Sequence, residues 1–371
     1  MARTILMISK PIAPPWNDSS KNLVKDLASA GTRFTYRVLT PRGYQLAAPR
    51  VECEQIYRAA GTYTPPLVQN LRVLARLVQP DRTAITHFFF APNLKTSLSA
   101  RAALTLRRRR TIQTVCSTPA SFQRARMLLF AERVVVLSHH TERQLVDAGV
   151  PARRLVMIPP GIQIPDPPSP ERRRAIRARF GLPADRPVVI YPGDYQFSDA
   201  ARTVARAILA LDDIPVFFVF ACRIKQPASL EIEAEIRELL DAGGALPRVL
   251  MLRDVDDMLG LLGACDLCVL PAESLYAKMD LPLVLLEAMA LGVPPVVADR
   301  PPLCELAHPG AGLTVPPRDP QALARAIRDL TSSPERLREL GAGARAAARR
   351  HYSIDAVSRR YETLYEELLA E

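Results

Sequence analysis

Short apolar runs alternate with longer amphipathic stretches along most of the chain. Runs at 3–9, 34–40, 83–90, 111–117, 132–138 and 154–162 are rich in Val, Ile, Leu and Phe and predict buried strands. Between them, 19–31, 67–79, 97–110 and 140–149 place apolar residues at helical spacing. Asp18 or Ser19 is a suitable N-cap for the first helix, and Gly31 a suitable stop. The rhythm then breaks. Residues 158–187 are Pro-rich around one short basic helix, which marks a domain boundary. Strands follow at 188–194, 216–223, 248–254, 266–272 and 294–299, with helices at 199–211, 229–242 and 255–263 and a further strand and helix within 312–330. Repeated strand–helix units predict a parallel, doubly wound α/β sheet in each half.

Composition adds to this picture. The 371 residues suffice for two domains, each with its own core. No run of eighteen apolar residues predicts a membrane-spanning helix, and the N-terminus reads as a first strand, not a signal peptide. Six cysteines in mostly apolar runs suit free buried thiols and a reducing, cytoplasmic setting. Cys265 and Cys268 form a C-x-x-C, but in a strand and without a second pair, so they read as core. Charge is uneven. Residues 1–165 hold 24 Lys and Arg against 8 Asp and Glu, a net of +16; the rest holds 25 against 30, a net of −5. A basic first half suits an anionic partner, such as nucleic acid, a phosphate-bearing acceptor or the inner face of an anionic membrane, or is simply an Arg-rich solvated surface.

The stretch from Met279 to Asp299 carries the most chemistry. A polar, Pro-containing loop leads into LPLVLLEAMALG, which ends at Gly292 before the strand PPVVAD. A helix start offers backbone N–H groups and partial positive charge to a phosphate. Glu287 is the one acid in an apolar helix, placed where a carboxylate can accept from ribose hydroxyls. Arg223 and Lys225, after the strand at 216–223, are candidates for a diphosphate. In the first half, Trp16, Asn17, Asp18 and Ser19 combine an aromatic face with hydroxyl-binding groups, though an N-cap beside a packed Trp explains them equally. His87 ends an apolar strand, and Asn93 follows it. The G-x-G-x-x-A match at 341–346 lies inside an Ala/Arg helix with no strand before it, so it fails as a dinucleotide fingerprint. No G-x-x-x-x-G-K-[ST], H-E-x-x-H or G-x-S-x-G occurs.

The Met279–Asp299 run resembles the signature of the retaining nucleotide-sugar glycosyltransferases of family four, which have the GT-B fold. Leu283, Glu287, Ala288, Met289, Ala290, Gly292, Pro294, Val296, Val297 and Ala298 fall on it. So do the strand–helix segment ending in IPPGI, the later GLTVPPRDPQALARAI, and the last helix, which in the family packs back on the first domain. The resemblance implies two Rossmann-like domains with a cleft between them, residues 1–163 with 353–371 for the acceptor and 164–352 for the donor. It also implies a nucleotide-sugar donor, a glycan or lipid-linked acceptor, no cofactor, no metal and no nucleic acid. Glu287 would hold the ribose and the N–H groups of Leu283 and Val284 the diphosphate.

Several positions depart from the family. Its first Glu, eight positions before the second, is Met279 here, which leaves Asp280 as the candidate sugar contact. Its Gly-rich first loop is absent: there is no Gly before Gly31. Asp194 and Ser198 stand where it has cations, and Cys116 and Ser117 where it has a His, which leaves His87 as the candidate catalytic His. A non-catalytic nucleotide-sugar binder and a GT-B sugar-nucleotide epimerase remain as alternatives.

Overall fold

A computed structural model describes residues 3–58, 67–90, 94–105, 109–117, 119, 121–224, 226–276 and 278–371. By its internal contacts the chain forms two compact units. The first contains Met1–Gln163, Tyr276–Leu283 and His351–Glu371; the second contains Ile164–Leu275 and Val284–Arg350.

The first unit runs β1 (Thr4–Ile8), α1 (Ser19–Ala30), β2 (Thr35–Pro41), β3 (Val51–Tyr57), α2 (Leu67–Val78), β4 (Thr83–Phe89), α3 (Leu94–Thr105), β5 (Arg110–Thr114), α4 (Ala125–Leu128), β6 (Arg133–Val136), α5 (His139–Asp147) and β7 (Leu155–Met157). Its seven strands are all parallel, in the order β3-β2-β1-β4-β5-β6-β7. Central strands such as TILMI and RVVV are almost wholly buried, as expected where helices cover both faces. β3 is the exception and has no counterpart among the predicted strands. VECEQIY carries two Glu and a Gln at the sheet edge, so its pattern is not that of a buried strand.

The second unit runs α6 (Pro170–Phe180), β8 (Val188–Tyr191), α7 (Ala200–Leu209), β9 (Phe217–Ala221), α8 (Ala228–Ala242), β10 (Val249–Leu252), α9 (Met258–Ala264), β11 (Leu267–Leu270), α10 (Leu283–Ala290), β12 (Pro295–Ala298), β13 (Leu313–Val315), α11 (Pro320–Thr331) and α12 (Pro334–His351). Its strand order is β10-β9-β8-β11-β12-β13, again all parallel. Local chemistry fixes the ends of these helices. Ser169 caps α6 by accepting from Arg172 N, Pro170 opens it, and Gly181 closes it in the left-handed region at φ 67°. The two glycines of the 341–346 match have packing roles in α12. A Cβ on Gly341 would lie 2.3 Å from Gly292 O, and one on Gly343 would lie 1.8 Å from Gly310 O.

A final helix, α13 (Ile354–Ala370), belongs to the first unit. Val357, Tyr361, Leu364, Tyr365 and Leu368 form its buried stripe. Glu362 is 1% exposed, and its carboxylate accepts from Thr32 N and Arg33 N, each at 2.7 Å, and from the Tyr36 hydroxyl at 2.8 Å. One side chain of the last helix thereby holds the turn between α1 and β2. Among the described residues no helix is long and apolar enough to cross a membrane.

Candidate functional site

In open parallel sheets, ligands bind outside the carboxyl ends of the strands, near the point where strand order reverses. In the second unit that point lies between β8 and β11. The turn after β8, Tyr191-Pro192-Gly193-Asp194, wraps the Tyr191 ring, whose hydroxyl donates to Asp194 O at 2.8 Å. A Cβ on Gly193 would fall 2.1 Å from that ring, so the wrap requires glycine. After β11, Glu273 Oε1 accepts from Asp199 N at 2.8 Å and from an Arg318 Nη at 3.1 Å. Glu273 Oε2 is buried without a hydrogen-bond partner among the described residues. The sequence reading does not single out Glu273 or Arg318, which lie 45 positions apart. A lone acid after a strand was the only available signal.

The helix of the signature, α10, lies between β11 and β12. Leu285, Leu286, Ala288, Met289 and Ala290 are fully buried, and Leu283 is 4% exposed. Only Val284 and Glu287 are half-buried, and their i, i+3 spacing puts them on one strip. A helix packed on every other side thus keeps its one acid on the accessible strip. The first N–H groups of α10, including those of Leu283 and Val284, have no partner inside the helix. Gly292, at φ 80°, ends α10, and Val293 N closes the turn on Ala288 O at 2.9 Å. Arg223 follows β9, is half-buried, and has no hydrogen bond or ion pair among the described residues. Lys225 lies outside the described residues. Arg253, by contrast, is ion-paired with Glu233 at 3.0 Å.

Two expectations are corrected in the first unit. Asp280 was placed with the donor domain, but Tyr276–Leu283 belongs to the first unit. Asp280 is 1% exposed, and its Oδ2 accepts from the Ser138 hydroxyl at 2.6 Å. Ser138 is also the N-cap of α5, accepting from Thr141 N at 3.1 Å. Asp280 therefore braces a helix cap from 142 positions away. Met279, where the family has its first Glu, is buried.

His87 is the second correction. It is fully buried, with Nδ1 2.8 Å from the Tyr365 hydroxyl and Nε2 2.8 Å from Thr114 Oγ1. Burial holds its pKa well below the usual value of 6.5, so the ring is neutral. With both nitrogens engaged inside the core, it cannot touch a ligand. Cys116 is also buried, and burial pushes its thiol up, away from thiolate chemistry. Cys265 and Cys268 are free thiols with the same upward shift from burial.

The first loop is a built structure. Asp18 caps α1, accepting from Ser20 N and Lys21 N, and pairs with Lys10 Nζ at 2.6 Å. Burial raises its carboxyl pKa, but Lys10, the Ser20 hydroxyl and Lys21 N outweigh this and hold it below its usual value. Trp16 is half-buried, edge-on to Tyr44 with ring centroids 6.2 Å apart. Lys21 and Lys25 lie over its ring at 5.6 and 5.2 Å. Asn17 is exposed, Ser19 is half-buried, and Asn93 lies outside the described residues.

Residues 186–333 match the family model described as glycosyl transferases group 1. The chain is 30% identical over 242 residues to an exopolysaccharide phosphotransferase of Streptomyces coelicolor, covering 64% of this chain and 24% of that one. It is 28% identical over 210 residues to a D-inositol 3-phosphate glycosyltransferase of Xylanimonas cellulosilytica, covering 54% and 49%. The chain thus spans less than half the length of either relative. Among solved structures, the Anabaena protein HepE in complex with UDP and glucose superposes with a TM-score of 0.77 at 19% identity, over 98% of this chain and 99% of that one, a likeness of fold. Residues 186–333 thus resemble glycosyl transferases group 1, and the two parallel α/β sheets share the fold of the Anabaena protein.

Proposed function

We propose that the chain transfers a sugar from a nucleotide-sugar to a glycan or lipid-linked acceptor, with retention at the anomeric carbon and without metal or cofactor. The observation that carries this reading is Glu287 on the one accessible strip of the otherwise buried α10. There its carboxylate accepts from ribose hydroxyls. The N–H groups of Leu283 and Val284, with Arg223 and Lys225, meet the diphosphate. Catalysis is then mainly orientation of the reactants and stabilisation of charge on the leaving diphosphate by fixed donors. The basic first unit holds the acceptor, with Trp16 as a stacking face beside Asn17, Asp18 and Ser19, and contacts the inner, anionic face of the membrane. The UDP-bound relative in fold supports a nucleotide donor.

The test is calorimetric binding of UDP-, GDP- and ADP-sugars to the chain and to Glu287→Ala. Loss of at least tenfold in affinity supports the ribose assignment; unchanged affinity overturns it.

A second reading, a nucleotide-sugar binder without turnover, is favoured by one observation. The residues at and beside the family's first Glu are Met279 and Asp280, both buried, with Asp280 engaged by Ser138. Donor binding without hydrolysis or transfer would decide for it.

A further inference from the structure

At the amino edge of the first unit's sheet lies an open cavity of about 460 Å³. Arg101, Arg126, Arg133, Arg153 and Arg154 line it, with Glu132 as its one acid. Arg133 opens β6, and Arg153 and Arg154 immediately precede β7, so this is the edge opposite the strands' carboxyl ends.

The backbone organises two of these guanidinium groups. Arg101 donates to the carbonyls of Arg126, Met127 and Leu129 at 3.1, 3.1 and 3.2 Å. Arg154 donates to the carbonyls of Leu129 and Ala131 at 3.1 and 2.6 Å. Both therefore meet at Leu129 O, two like charges on one carbonyl. Arg154 is lowered from its usual pKa by burial first, then by the charges of Arg101 and Arg153. Little opposes this concentration of charge. Arg101, Arg126, Arg153 and Arg154 have no ion pair among the described residues. Arg133 is paired with Glu371. The Glu132 carboxylate is already held by Arg110 at 2.8 Å and by Thr111 N at 3.1 Å. Exposed arginines normally separate into solvent, where they lose little. Here carbonyls fix two of them close together, with donors left over and a concave surface in front. Arginine forks match phosphate oxygens, and a multiply charged anion would remove the mutual repulsion.

We propose that this cavity binds a phosphate dianion or diphosphate, carried by a soluble ester or a phospholipid headgroup, at a site separate from the donor site of the second unit. Arg101 and Arg154 form its preset floor, and Arg126 and Arg153, both exposed, close on the ligand.

The experiment uses the full chain and Arg126→Gln/Arg153→Gln. Neither side chain makes a hydrogen bond or ion pair among the described residues, so the double variant keeps its fold. Inorganic pyrophosphate is titrated by calorimetry at low ionic strength. Vesicles of phosphatidylcholine with and without phosphatidic acid are tested by co-sedimentation. Saturable pyrophosphate binding that weakens about tenfold for each guanidinium removed, with nucleotide-sugar affinity unchanged, supports the site and a soluble ligand. Retention only on phosphatidic acid vesicles, lost in the double variant, supports the site and a headgroup ligand. Binding of neither probe, or equal binding by the double variant, overturns it.

Discussion

The two units share a sheet plan but anchor a helix in opposite ways. In the first, a carboxylate on α13, Glu362, reaches out to backbone N–H groups and a tyrosine hydroxyl at the start of β2. In the second, the charges on the helix are positive. Arg173 and Arg177 of α6 reach Asp266 Oδ1 and Oδ2 at 2.6 and 2.7 Å, and Asp266 also accepts from Val188 N at the start of β8. Arg177 donates further to the carbonyls of Ala264 and Pro183, each at 3.0 Å. A carboxylate can satisfy N–H groups and a guanidinium can satisfy carbonyls, so each unit uses the sign that its open backbone groups need. The candidate chemistry differs as well. In the second unit the family-like residue, Glu287, stays accessible. In the first, His87 and Asp280 have been absorbed into structure. The functional signal therefore concentrates in the second unit, while the first keeps its polarity for folding, for its loop at Trp16 and for its arginines.

Four measurements can break or sharpen that contrast. The largest effect is expected for Glu362→Ala, which strands the N–H groups of Thr32 and Arg33 and the buried Tyr36 hydroxyl. Its cost should be about 3 kcal/mol in urea unfolding, confined to the first unit. A cost below about 1 kcal/mol would mean that α13 is held by its apolar stripe alone. Next, Glu287→Ala should weaken nucleotide-sugar binding by about 1.5–3 kcal/mol, a larger effect than on the unfolding free energy. A loss of stability instead would make Glu287 another structural acid, and the contrast between the units would disappear.

Ser138→Ala should cost about 1 kcal/mol by removing the cap of α5. If Asp280 only braces that cap, Asp280→Asn should reproduce the stability loss without changing turnover of bound donor. A fall in kcat at unchanged donor affinity would return Asp280 to the reacting centre. The smallest effect is pH dependence. His87 has a folded-state pKa well below 6.5, so the unfolded chain binds a proton that the folded chain does not. Its contribution is complete above the unfolded value and falls as pH drops through 6.5, by up to about 1.4 kcal/mol per pH unit. Thermal unfolding between pH 7 and 5 should show this slope, and His87→Gln should flatten it. An unchanged slope would assign the acid sensitivity to other groups.

The strand–helix rhythm, the Pro-rich break near residue 164 and the buried strands are legible because burial and periodicity are written into each short segment. Glu287 is legible as a lone acid in an apolar helix, which must turn outward or be paired; that it shares an accessible strip with Val284 is not. β3 is not, because an edge strand has no need of a continuous apolar run. Nor is the fate of His87. An apolar strand ending in His looks the same whether its ring meets a ligand or the Tyr365 hydroxyl, 278 positions later.

The sequence by itself determined two parallel α/β halves, a single acid in an otherwise apolar helix and an excess of positive charge in the first half. Only the tertiary structure decided that Asp280 belongs with Ser138, that Glu273 meets Arg318, and that Arg101 and Arg154 share one carbonyl. Local patterns encode which face of an element is buried. Which distant side chains meet there depends on sheet order and helix packing, and those are set by the whole chain at once.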